Sequence, residues 1–356
     1  MSASMNTRVI LTSYAPKEVH STSIFTIDRS QPPPDISSLS EGQVLVKLDA
    51  ISIDPHLRLF IDAPPSEASS DSVTDDLPKP FLFTLNQPIM SIGVGKVVAS
   101  VSAEYNVGDR VRAEYFPWQT YAVFSSKDLT KIPDSGRPLE DYVGILGMTS
   151  FTAYLGLIDV GRPKSGETLL VSAASGAVGQ IVVQLGKARG LRVIGVVGSD
   201  DKATYIKNIG ADAVLNYKTC GNYECAIRKI APEGIDIYFD NVGGALLDAA
   251  LLNLNVCARV VLCGSMATYA SDTSKVTGIK NLDKIIVKEV TMKSIFYLPH
   301  IGTKIESDFF DEMHQLEQQG KILFKLDARD GLEHAPQALV DLFTGANLGK
   351  VIVREV

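Results

Sequence analysis

The stretch of sequence that decides the fold is residues 167–179, which read ETLLVSAASGAVG. Residues 169–171 form a short apolar run that is typical of a buried parallel strand. Small residues follow, and the apolar positions after them recur at the spacing of a helix: Ile181, Val182, Leu185 and Ala188. Strand, small-residue turn and helix in this order predict the geometry that binds a dinucleotide.

The small-residue turn carries most of a pyrophosphate-binding pattern. Gly176 would let the main chain approach a pyrophosphate, and Gly179 would let the helix pack closely on the strand. The helix N-terminus would present N–H groups and the positive end of its dipole to the phosphates. Ala174 stands where the pattern normally has its first glycine, so a tight turn with no ligand is the alternative interpretation.

The end of the next predicted strand, residues 192–197, favours NADP over NAD. Gly198 follows this strand about twenty residues after the glycine turn, where an NAD site usually has an acidic residue for the ribose hydroxyls. Gly198 and Ser199 leave room for a 2'-phosphate, and Lys202 supplies a cation one helical turn later. The simpler interpretation of Lys202 is an exposed lysine in the first turn of a helix.

Composition and charge exclude several classes of function. The chain has 356 residues, enough for two domains or one large one, and a net charge of −7 that argues against nucleic acid or an anionic membrane as a partner. The four cysteines do not suggest a disulfide framework, and neither CxxC nor HExxH occurs. With no signal pattern and no apolar run long enough for a membrane span, we predict a cytoplasmic protein.

The order of predicted elements indicates two kinds of architecture. The first third reads as short antiparallel strands at residues 8–13, 24–27, 42–49, 90–101, 111–115 and 118–124. Residues 62–79 read as a surface loop, with a lid over a cleft as the alternative. Beyond a helical segment at 139–158, strands at 213–217, 235–240, 259–263 and 291–298 alternate with helices, which predicts a parallel, doubly wound α/β sheet. A helix at 305–319 and a strand at 348–356 follow.

Several motifs together resemble one known family. They read SIDPHLR, LGMTSFTAYLGL, AASGAVG, VVGSDDK, YFDNVGG, VVLCGSMATY and NLGKVIV, and they span nearly the whole chain. The chain resembles the medium-chain dehydrogenase/reductase superfamily, and within it the zinc-independent prostaglandin/leukotriene reductases and NADP-dependent alkenal double-bond reductases. The resemblance implies a Rossmann NADP-binding domain at 139–302, inserted in a mostly antiparallel, GroES-like catalytic domain made of 1–138 and 303–356.

The resemblance also implies which residues hold NADP(H). Gly176, Ala177, Val178 and Gly179 would bind the pyrophosphate. Ser199, Lys202 and Tyr217 would surround the 2'-phosphate. The remaining implied cofactor contacts are Asn241, Cys263, Gly264, Ser265, Tyr269, Phe296, Tyr297 and Asn347. For Asn241 and Tyr217, a turn-forming residue and a half-buried strand-end residue are the simpler interpretations.

Departures from the family pattern bear on metal and substrate. Zinc-dependent relatives have a cysteine ligand and a Gly-His-Glu stretch where this chain has Ser52-Ile53-Asp54 and Ser91-Ile92-Gly93, so we expect no metal site. His56 stands where the family has a tyrosine, and Ile295 where it has a phenylalanine. His56, Phe60 and Trp118 are the expected walls of the substrate pocket, and Phe296 is a further candidate.

The leading hypothesis is an NADPH-dependent enzyme that reduces the C=C bond of an α,β-unsaturated ketone or aldehyde by hydride transfer to the β-carbon. Tyr269 is the candidate catalytic residue, because a neutral tyrosine can donate a hydrogen bond to the developing enolate. The simpler interpretation of Tyr269 is a packing residue. Quinone reduction and non-catalytic binding of NADPH stay open as alternatives. We also expect a homodimer that pairs along the strand at 291–298.

Replacing Lys202 tests the assignment of NADP. Lys202→Ala should remove a charge-assisted contact worth about 1.5–3 kcal/mol and so weaken NADPH binding. NADH has no 2'-phosphate, so its affinity should stay almost unchanged. Titration of both cofactors against the two proteins measures the difference. Equal losses for both cofactors would show that Lys202 does not contact the 2'-phosphate.

Overall fold

The chain divides into two compact units, each described here by itself. The computed structural model describes residues 5–17, 21–62, 83–271, 276 and 278–355, so nearly all of the loop predicted at 62–79 lies outside the described residues. Unit 1 consists of Met1–Gly144, Asp327–Asn347 and Val351–Val356, and unit 2 of Ile145–Leu326 and Leu348–Lys350. A sequence-distant C-terminal part therefore returns to the first unit, as the predicted insertion of one domain in another requires.

The N-terminal part of unit 1 is built from antiparallel strands. The strands are β1 (Arg8–Leu11), β2 (Phe25–Asp28), β3 (Gln43–Ser52), β4 (Gln87–Pro88), β5 (Met90–Ser100), β6 (Arg110–Pro117), β7 (Tyr121–Ser125) and β8 (Thr130–Lys131). One short helix, α1 (Leu57–Phe60), follows β3. Single 3₁₀ turns lie at Thr22–Ile24, Ile36–Ser38, Ser126–Asp128 and Leu139–Tyr142. The antiparallel pairings include β3 with β5 and β7, β5 with β6, and β1 with β2.

Unit 2 alternates helices with strands. Its helices are α2 (Met148–Leu155), α3 (Ala177–Ala188), α4 (Asp200–Asn208), α5 (Tyr223–Ile230), α6 (Gly244–Leu252), α7 (Asp283–Val287) and α8 (Lys304–Gln318). Its strands are β9 (Thr168–Val171), β10 (Arg192–Val197), β11 (Ala213–Asn216), β12 (Ile235–Asp240), β13 (Leu254–Leu262) and β14 (Thr291–Ser294). A π-helical turn at Gly156–Gly161 continues α2, and a 3₁₀ turn lies at Leu298–His300.

The described strands of unit 2 form one parallel sheet in the order β11-β10-β9-β12-β13-β14. Counted from β9, this is the order 3-2-1-4-5-6 of a doubly wound Rossmann sheet. The order reverses between β9 and β12, so the ends of these two strands border the crevice in which such sheets bind ligands. Both strands are almost entirely buried, because helices cover the two faces of a parallel sheet.

The C-terminal segment completes unit 1. It contains β15 (Leu326–Asp330), a 3₁₀ turn at Leu332–His334, α9 (Ala335–Thr344) and β16 (Lys350–Arg354). Strand β16 pairs antiparallel with β3, with Ile352 opposite Ser52. The seven described strands of this sheet run β15-β16-β3-β5-β6-β8, with β7 also paired to β3. The strand predicted at 348–356 is thus confirmed, with shorter bounds.

The structure groups α8 with unit 2, whereas the sequence predicted a domain boundary at residue 303, before this helix. Phe309 of α8 is fully buried, and its ring lies 5.3 Å from that of Phe151 and 5.7 Å from that of Tyr154. Arg189, at the end of α3, donates to both carboxylate oxygens of Glu312 at 2.8 and 2.9 Å. These contacts fix α8 against α2 and α3, and the pattern of α8 itself gave no indication of which unit it would pack on.

Truncating Phe309 tests the placement of α8. Phe309→Ala should lower the free energy of unfolding of unit 2 by about 3–5 kcal/mol, since a fully buried phenylalanine leaves a cavity. The neighbouring Phe310 is only partly buried, so Phe310→Ala is the matched control and should cost clearly less. Denaturant unfolding followed by circular dichroism measures both. Equal losses would contradict the assignment of Phe309 to the unit 2 core.

Candidate functional site

The candidate site of unit 2 lies where β9 and β12 end, at the reversal of strand order. These neighbouring strands pair Ile237 with Leu169 and Phe239 with Val171. The chain continues from β9 into Ser172 and the glycine turn, and from β12 into Asn241. Parallel strands end at the same edge of the sheet, which brings both continuations together.

The glycine turn is held by close main-chain contacts. Ala173 has a left-handed conformation with φ 46°, and its carbonyl accepts a hydrogen bond from the Gly176 N–H at 2.9 Å. A Cβ atom on Gly179 would lie 2.4 Å from the Ala173 oxygen and 2.6 Å from the Ala174 Cα, so only glycine fits there. A Cβ on Gly176 would meet only the Ala173 oxygen, at 3.2 Å. Gly179 therefore serves the packing of the turn, whereas Gly176 leaves the main chain accessible.

Ala174, the unusual residue of the pattern, is accommodated by a glycine on the neighbouring strand. Ala174 is fully buried, and its N–H donates to the Val196 carbonyl at 3.0 Å. A Cβ on Gly195 of β10 would lie 3.0 Å from the Ala174 Cβ and 2.8 Å from Ile206. The missing glycine at 174 is thus compensated by the glycine at 195, and the turn keeps its shape.

The N-terminus of α3 presents its main-chain N–H groups beside this turn. No side chain among the described residues caps this helix at Gly176. The first N–H groups of a helix have no partner within the helix, and together with the dipole they attract a phosphate. Ala177 and Val178 follow Gly176 as the first helical residues. The residues predicted to bind the pyrophosphate therefore have the geometry that such a group requires.

The short segment Leu348–Lys350 also contacts the glycine turn. The Gly349 N–H donates to the Ser175 carbonyl at 2.9 Å, and Gly349 bridges Gly176 in parallel orientation. The Lys350 N–H donates to the Lys325 carbonyl, and the buried side chain of Gln180 bonds both the N–H and the carbonyl of Lys325. Asn347, the predicted contact from the tail, is assigned to unit 1 and directly precedes this segment in the chain.

The predicted 2'-phosphate residues meet at the ends of β10 and β11. Ser199 accepts a hydrogen bond from the Lys202 N–H at 3.3 Å and so caps α4. The ring of Tyr217 lies against Gly198, where a Cβ would come within 2.8 Å of it. Tyr217 itself is 41% exposed. The ring of Tyr217 thus requires a glycine at position 198.

Asn241 is fixed at the end of β12 by Ser172. Its main-chain N–H donates to Ser172 Oγ at 2.8 Å, and its side-chain Nδ2 donates to the Ser172 carbonyl at 2.7 Å. The Met266 N–H donates to the Asn241 carbonyl at 3.3 Å. Asn241 therefore connects the strand ends of β9 and β12 with the loop that follows β13.

This loop, residues 263–269, carries the candidate catalytic tyrosine. The N–H groups of Cys263 and Gly264 donate to the Asp240 carbonyl at 2.8 and 3.1 Å. The Tyr269 N–H donates to the Ser265 carbonyl at 3.2 Å, and a Cβ on Gly264 would lie 3.3 Å from the Tyr269 hydroxyl. Tyr269 therefore folds back over the start of its own loop, beside Cys263.

Burial and charge keep the acidic groups of this loop protonated. Burial raises the pKa of Tyr269 above its ordinary value; a main-chain hydrogen bond from Ser265 lowers it in part, and the nearby Cys263 and Asp240 add smaller increases. Burial, with the Asp240 charge, raises the pKa of the Cys263 thiol to about 12. A protonated tyrosine is a hydrogen-bond donor, which is the form that a developing oxyanion requires.

The other predicted residues occupy different places. Phe296 and Tyr297 follow β14, with Phe296 59% exposed and the two rings 6.2 Å apart. In unit 1, His56 directly precedes α1 and Phe60 is its last residue, and their ring centroids are 5.8 Å apart. Trp118 is fully buried in the unit 1 core, where its Nε1 donates to Ser91 Oγ at 2.9 Å. Its position is that of a core side chain rather than an exposed wall.

Sequence reasoning missed three residues that organise the site. Ser172 and Asp240 connect the strand ends by hydrogen bonds, and Gly349 contacts the glycine turn from the tail. The signal for Asp240 was present, because an acidic residue closes the apolar strand Ile235–Asp240 directly before Asn241. A charged residue at the buried end of a parallel strand predicts a polar network there.

Two further surveys cover the described part of the chain. Among these residues, no group of three or more histidine, cysteine, aspartate or glutamate side chains could hold a metal ion. No helix in the described ranges is long and apolar enough to span a bilayer. All four cysteines are free thiols.

Comparisons with known proteins cover both units. A family model described as "Zinc-binding dehydrogenase" matches residues 177–316, and one described as "N-terminal domain of oxidoreductase" matches residues 8–132. A zinc-type alcohol dehydrogenase-like protein of Schizosaccharomyces pombe is 39% identical over 88% of this chain and 87% of its own. A 2-alkenal reductase (NADP(+)-dependent) of Nicotiana tabacum is 39% identical over 76% of this chain and 78% of its own. The crystal structure of CurA from Vibrio vulnificus in complex with NADPH is 32% identical, with a TM-score of 0.86 over 98% of this chain and 99% of that one.

Two glycine substitutions separate packing from binding in the turn. Gly176→Ala needs only a small adjustment of the Ala173 carbonyl, so the fold should keep its stability while NADPH affinity falls at least tenfold, about 1.4 kcal/mol, because a methyl group projects toward the pyrophosphate. Gly179→Ala clashes with main-chain atoms and should lower both thermal stability and affinity. Calorimetry and cofactor titration measure the two effects. Normal NADPH affinity in Gly176→Ala would place the pyrophosphate elsewhere.

Proposed function

We propose a reaction for this chain on the premise that it belongs to the medium-chain dehydrogenase/reductase superfamily, within its branch of NADPH-dependent double-bond reductases. The reaction is the reduction of the C=C bond of an α,β-unsaturated ketone or aldehyde. The name of the relative from Nicotiana tabacum, a 2-alkenal reductase, supports a small-molecule substrate of this kind.

The observation that carries the proposal is the convergence of three strand ends beside the glycine turn. The ends of β9, β12 and β13 bring Ser172, Asn241 and Tyr269 to one edge of the sheet. The uncapped N-terminus of α3 and the space beside Gly198 fit the two phosphate-bearing parts of NADPH. The cofactor and the candidate donor to the substrate are thereby assigned to the same crevice.

The chain's own groups have defined tasks in this reaction. When bound, NADPH supplies the hydride that adds to the β-carbon of the conjugated double bond. Tyr269, whose pKa burial raises further above neutral pH, donates a hydrogen bond to the carbonyl oxygen as negative charge develops there. Asn241, Cys263, Gly264 and Ser265 form the wall beside the nicotinamide, and Phe296 and Tyr297 extend it. Asn347 is proposed as a contact from the tail segment.

His56, Phe60 and Trp118 of unit 1 stay proposed as residues that contact the substrate. His56 and Phe60 form an aromatic pair on α1, and Phe60 also packs edge-on against Phe83 at 6.0 Å. His56 offers a polar group for a carbonyl, and Phe60 an apolar wall for the rest of an enone. Trp118 supports this region only from the core, since none of its side chain is exposed.

Quinone reduction by the same hydride step is the alternative function, and non-catalytic NADPH binding is a third. A panel of enones, enals and quinones with NADPH consumption as the readout separates them. Consumption with enones and enals supports the proposal, and consumption with quinones alone supports the alternative. No consumption with any acceptor would favour a binding protein.

A homodimer that pairs through β14 is part of the proposal, with a cytoplasmic location. Strand β14 ends the sheet, pairs with β13 on one side, and exposes Thr291, Lys293 and Ser294. An open sheet edge is a ready surface for pairing with a second strand. We expect light scattering to give twice the chain mass at micromolar concentration. A monomer mass at every concentration would refute this pairing.

Removing the Tyr269 hydroxyl tests its catalytic role. Tyr269→Phe should lower turnover roughly ten- to a thousandfold, the scale of losing one oriented donor to an oxyanion. NADPH affinity should change less, because most cofactor contacts lie elsewhere. The assay is run with and without excess chelator, which should not alter turnover, since the chain lacks the zinc-ligand pattern. Wild-type turnover in Tyr269→Phe, with hydride transfer rate-limiting, would make His56 or Tyr297 the next candidate.

A further inference from the structure

Asp240 is a buried residue that contacts all three loops of the candidate site through its carboxylate and its main-chain carbonyl. Its Oδ1 atom accepts hydrogen bonds from four donors: Tyr238 Oη at 2.8 Å, the Gly243 N–H at 2.9 Å, the Val242 N–H at 3.1 Å and Ser172 Oγ at 3.2 Å. Its main-chain carbonyl accepts from Cys263 and Gly264. One residue thus connects the loops after β9, β12 and β13.

The two oxygens of this carboxylate are used unequally. Oδ2 is buried and accepts no hydrogen bond from any residue that the structure describes. A buried acceptor without a donor is costly, so its retention in a stable core calls for a reason other than packing. The titratable groups that face Asp240 are Tyr238 from its own strand, and Cys263 and Tyr269 from the loop after β13.

The charge of Asp240 acts on the groups that border the reaction. The carboxylate raises the pKa of Cys263 and of Tyr269, in each case after the larger effect of burial. A protonated Tyr269 can donate to an enolate oxygen, whereas a phenolate cannot. A protonated Cys263 is a poor nucleophile, which matters beside a substrate whose β-carbon adds thiolates.

We propose that Asp240 is a positioning residue: its buried carboxylate holds the loops after β9 and β12 together, its main-chain carbonyl holds the loop after β13, and its charge faces the Cys263 thiol and the Tyr269 hydroxyl. The part concerning Tyr269 rests on the proposed function. The part concerning Cys263 does not, because the reactivity of a thiol can be measured without substrate or NADPH. Asp240 touches the loops rather than the substrate and acts through them.

Three variants separate charge from hydrogen bonding. Asp240→Asn keeps the Oδ1 acceptor for the four donors and removes the charge. Tyr238→Phe removes one donor to the same oxygen and keeps the charge. Asp248→Asn is the matched control, because Asp248 also accepts two main-chain N–H bonds in unit 2, from Lys280 and Asn281. Thermal unfolding establishes that each variant is folded.

The first measurement is the rate of alkylation by N-ethylmaleimide at pH 8–9. The Cys263 thiolate sulfur adds to the maleimide double bond, and the resulting enolate takes a proton from water. Mass spectrometry gives the rate at Cys263 relative to the exposed Cys225 in the same molecule. Asp240→Asn should raise this ratio about three- to tenfold, since each unit by which a thiol pKa falls gives tenfold more thiolate. Tyr238→Phe and Asp248→Asn should leave it within about twofold.

The second measurement is the alkaline limit of turnover with an enone. Removing a neighbouring anion lowers the pKa of Tyr269, so the loss of activity with rising pH should begin at lower pH in Asp240→Asn than in the wild type. The proposal is overturned if the alkylation rate of Cys263 relative to Cys225 is unchanged in Asp240→Asn. It is also overturned if this relative rate rises equally in Tyr238→Phe, because that would indicate loosened packing rather than a loss of charge. If the ratio rises and no acceptor is reduced by any variant, the proposed function fails and the role of Asp240 toward Cys263 stands.

Discussion

The close approach of α3 to the end of β9 is the contact on which the rest of unit 2 depends. A side chain at Gly179 would overlap the main chain of Ala173 and Ala174, and Ala173 itself has a left-handed conformation. Both features bring the helix N-terminus to the edge of the sheet, where its N–H groups form the kind of site that binds a phosphate. The packing of the turn and its capacity to bind a dinucleotide therefore have one physical origin.

Hydrogen bonds between loops extend this arrangement from the phosphates to the reacting end. Ser172 holds Asn241, Asp240 holds the start of the 263–269 loop, and that loop places Tyr269. Burial in this network keeps the tyrosine in its donating form. A reaction in which charge develops on a carbonyl oxygen needs a neutral donor that is already in place, and Tyr269 is the candidate donor of this site.

The strands of the parallel sheet were easier to predict from the sequence than the positions of the side chains and helices that pack around it. The bounds of β10 and β12 agree with the predicted 192–197 and 235–240, because a strand buried on both faces is a continuous apolar run. The burial of Trp118 was not predictable, since an aromatic side chain suits a core and a pocket wall equally well. The placement of α8 depends on Phe309 meeting Phe151, and such a contact between sequence-distant residues leaves no local signal. The sequence predicted Asp240 only as the end of a strand. Its four donors lie on its own strand, on the turn that follows it and on the sequence-distant loop after β9, and such an arrangement leaves no local pattern.

The central claim is that the chain transfers the hydride of NADPH to the β-carbon of a conjugated carbonyl compound. The most direct test uses NADPH that carries deuterium at the reactive carbon of the nicotinamide, with an enone as acceptor and NMR of the product. We expect a saturated ketone with deuterium at the β-carbon. Deuterium on the carbonyl carbon of an allylic alcohol, or a product without deuterium, would contradict it.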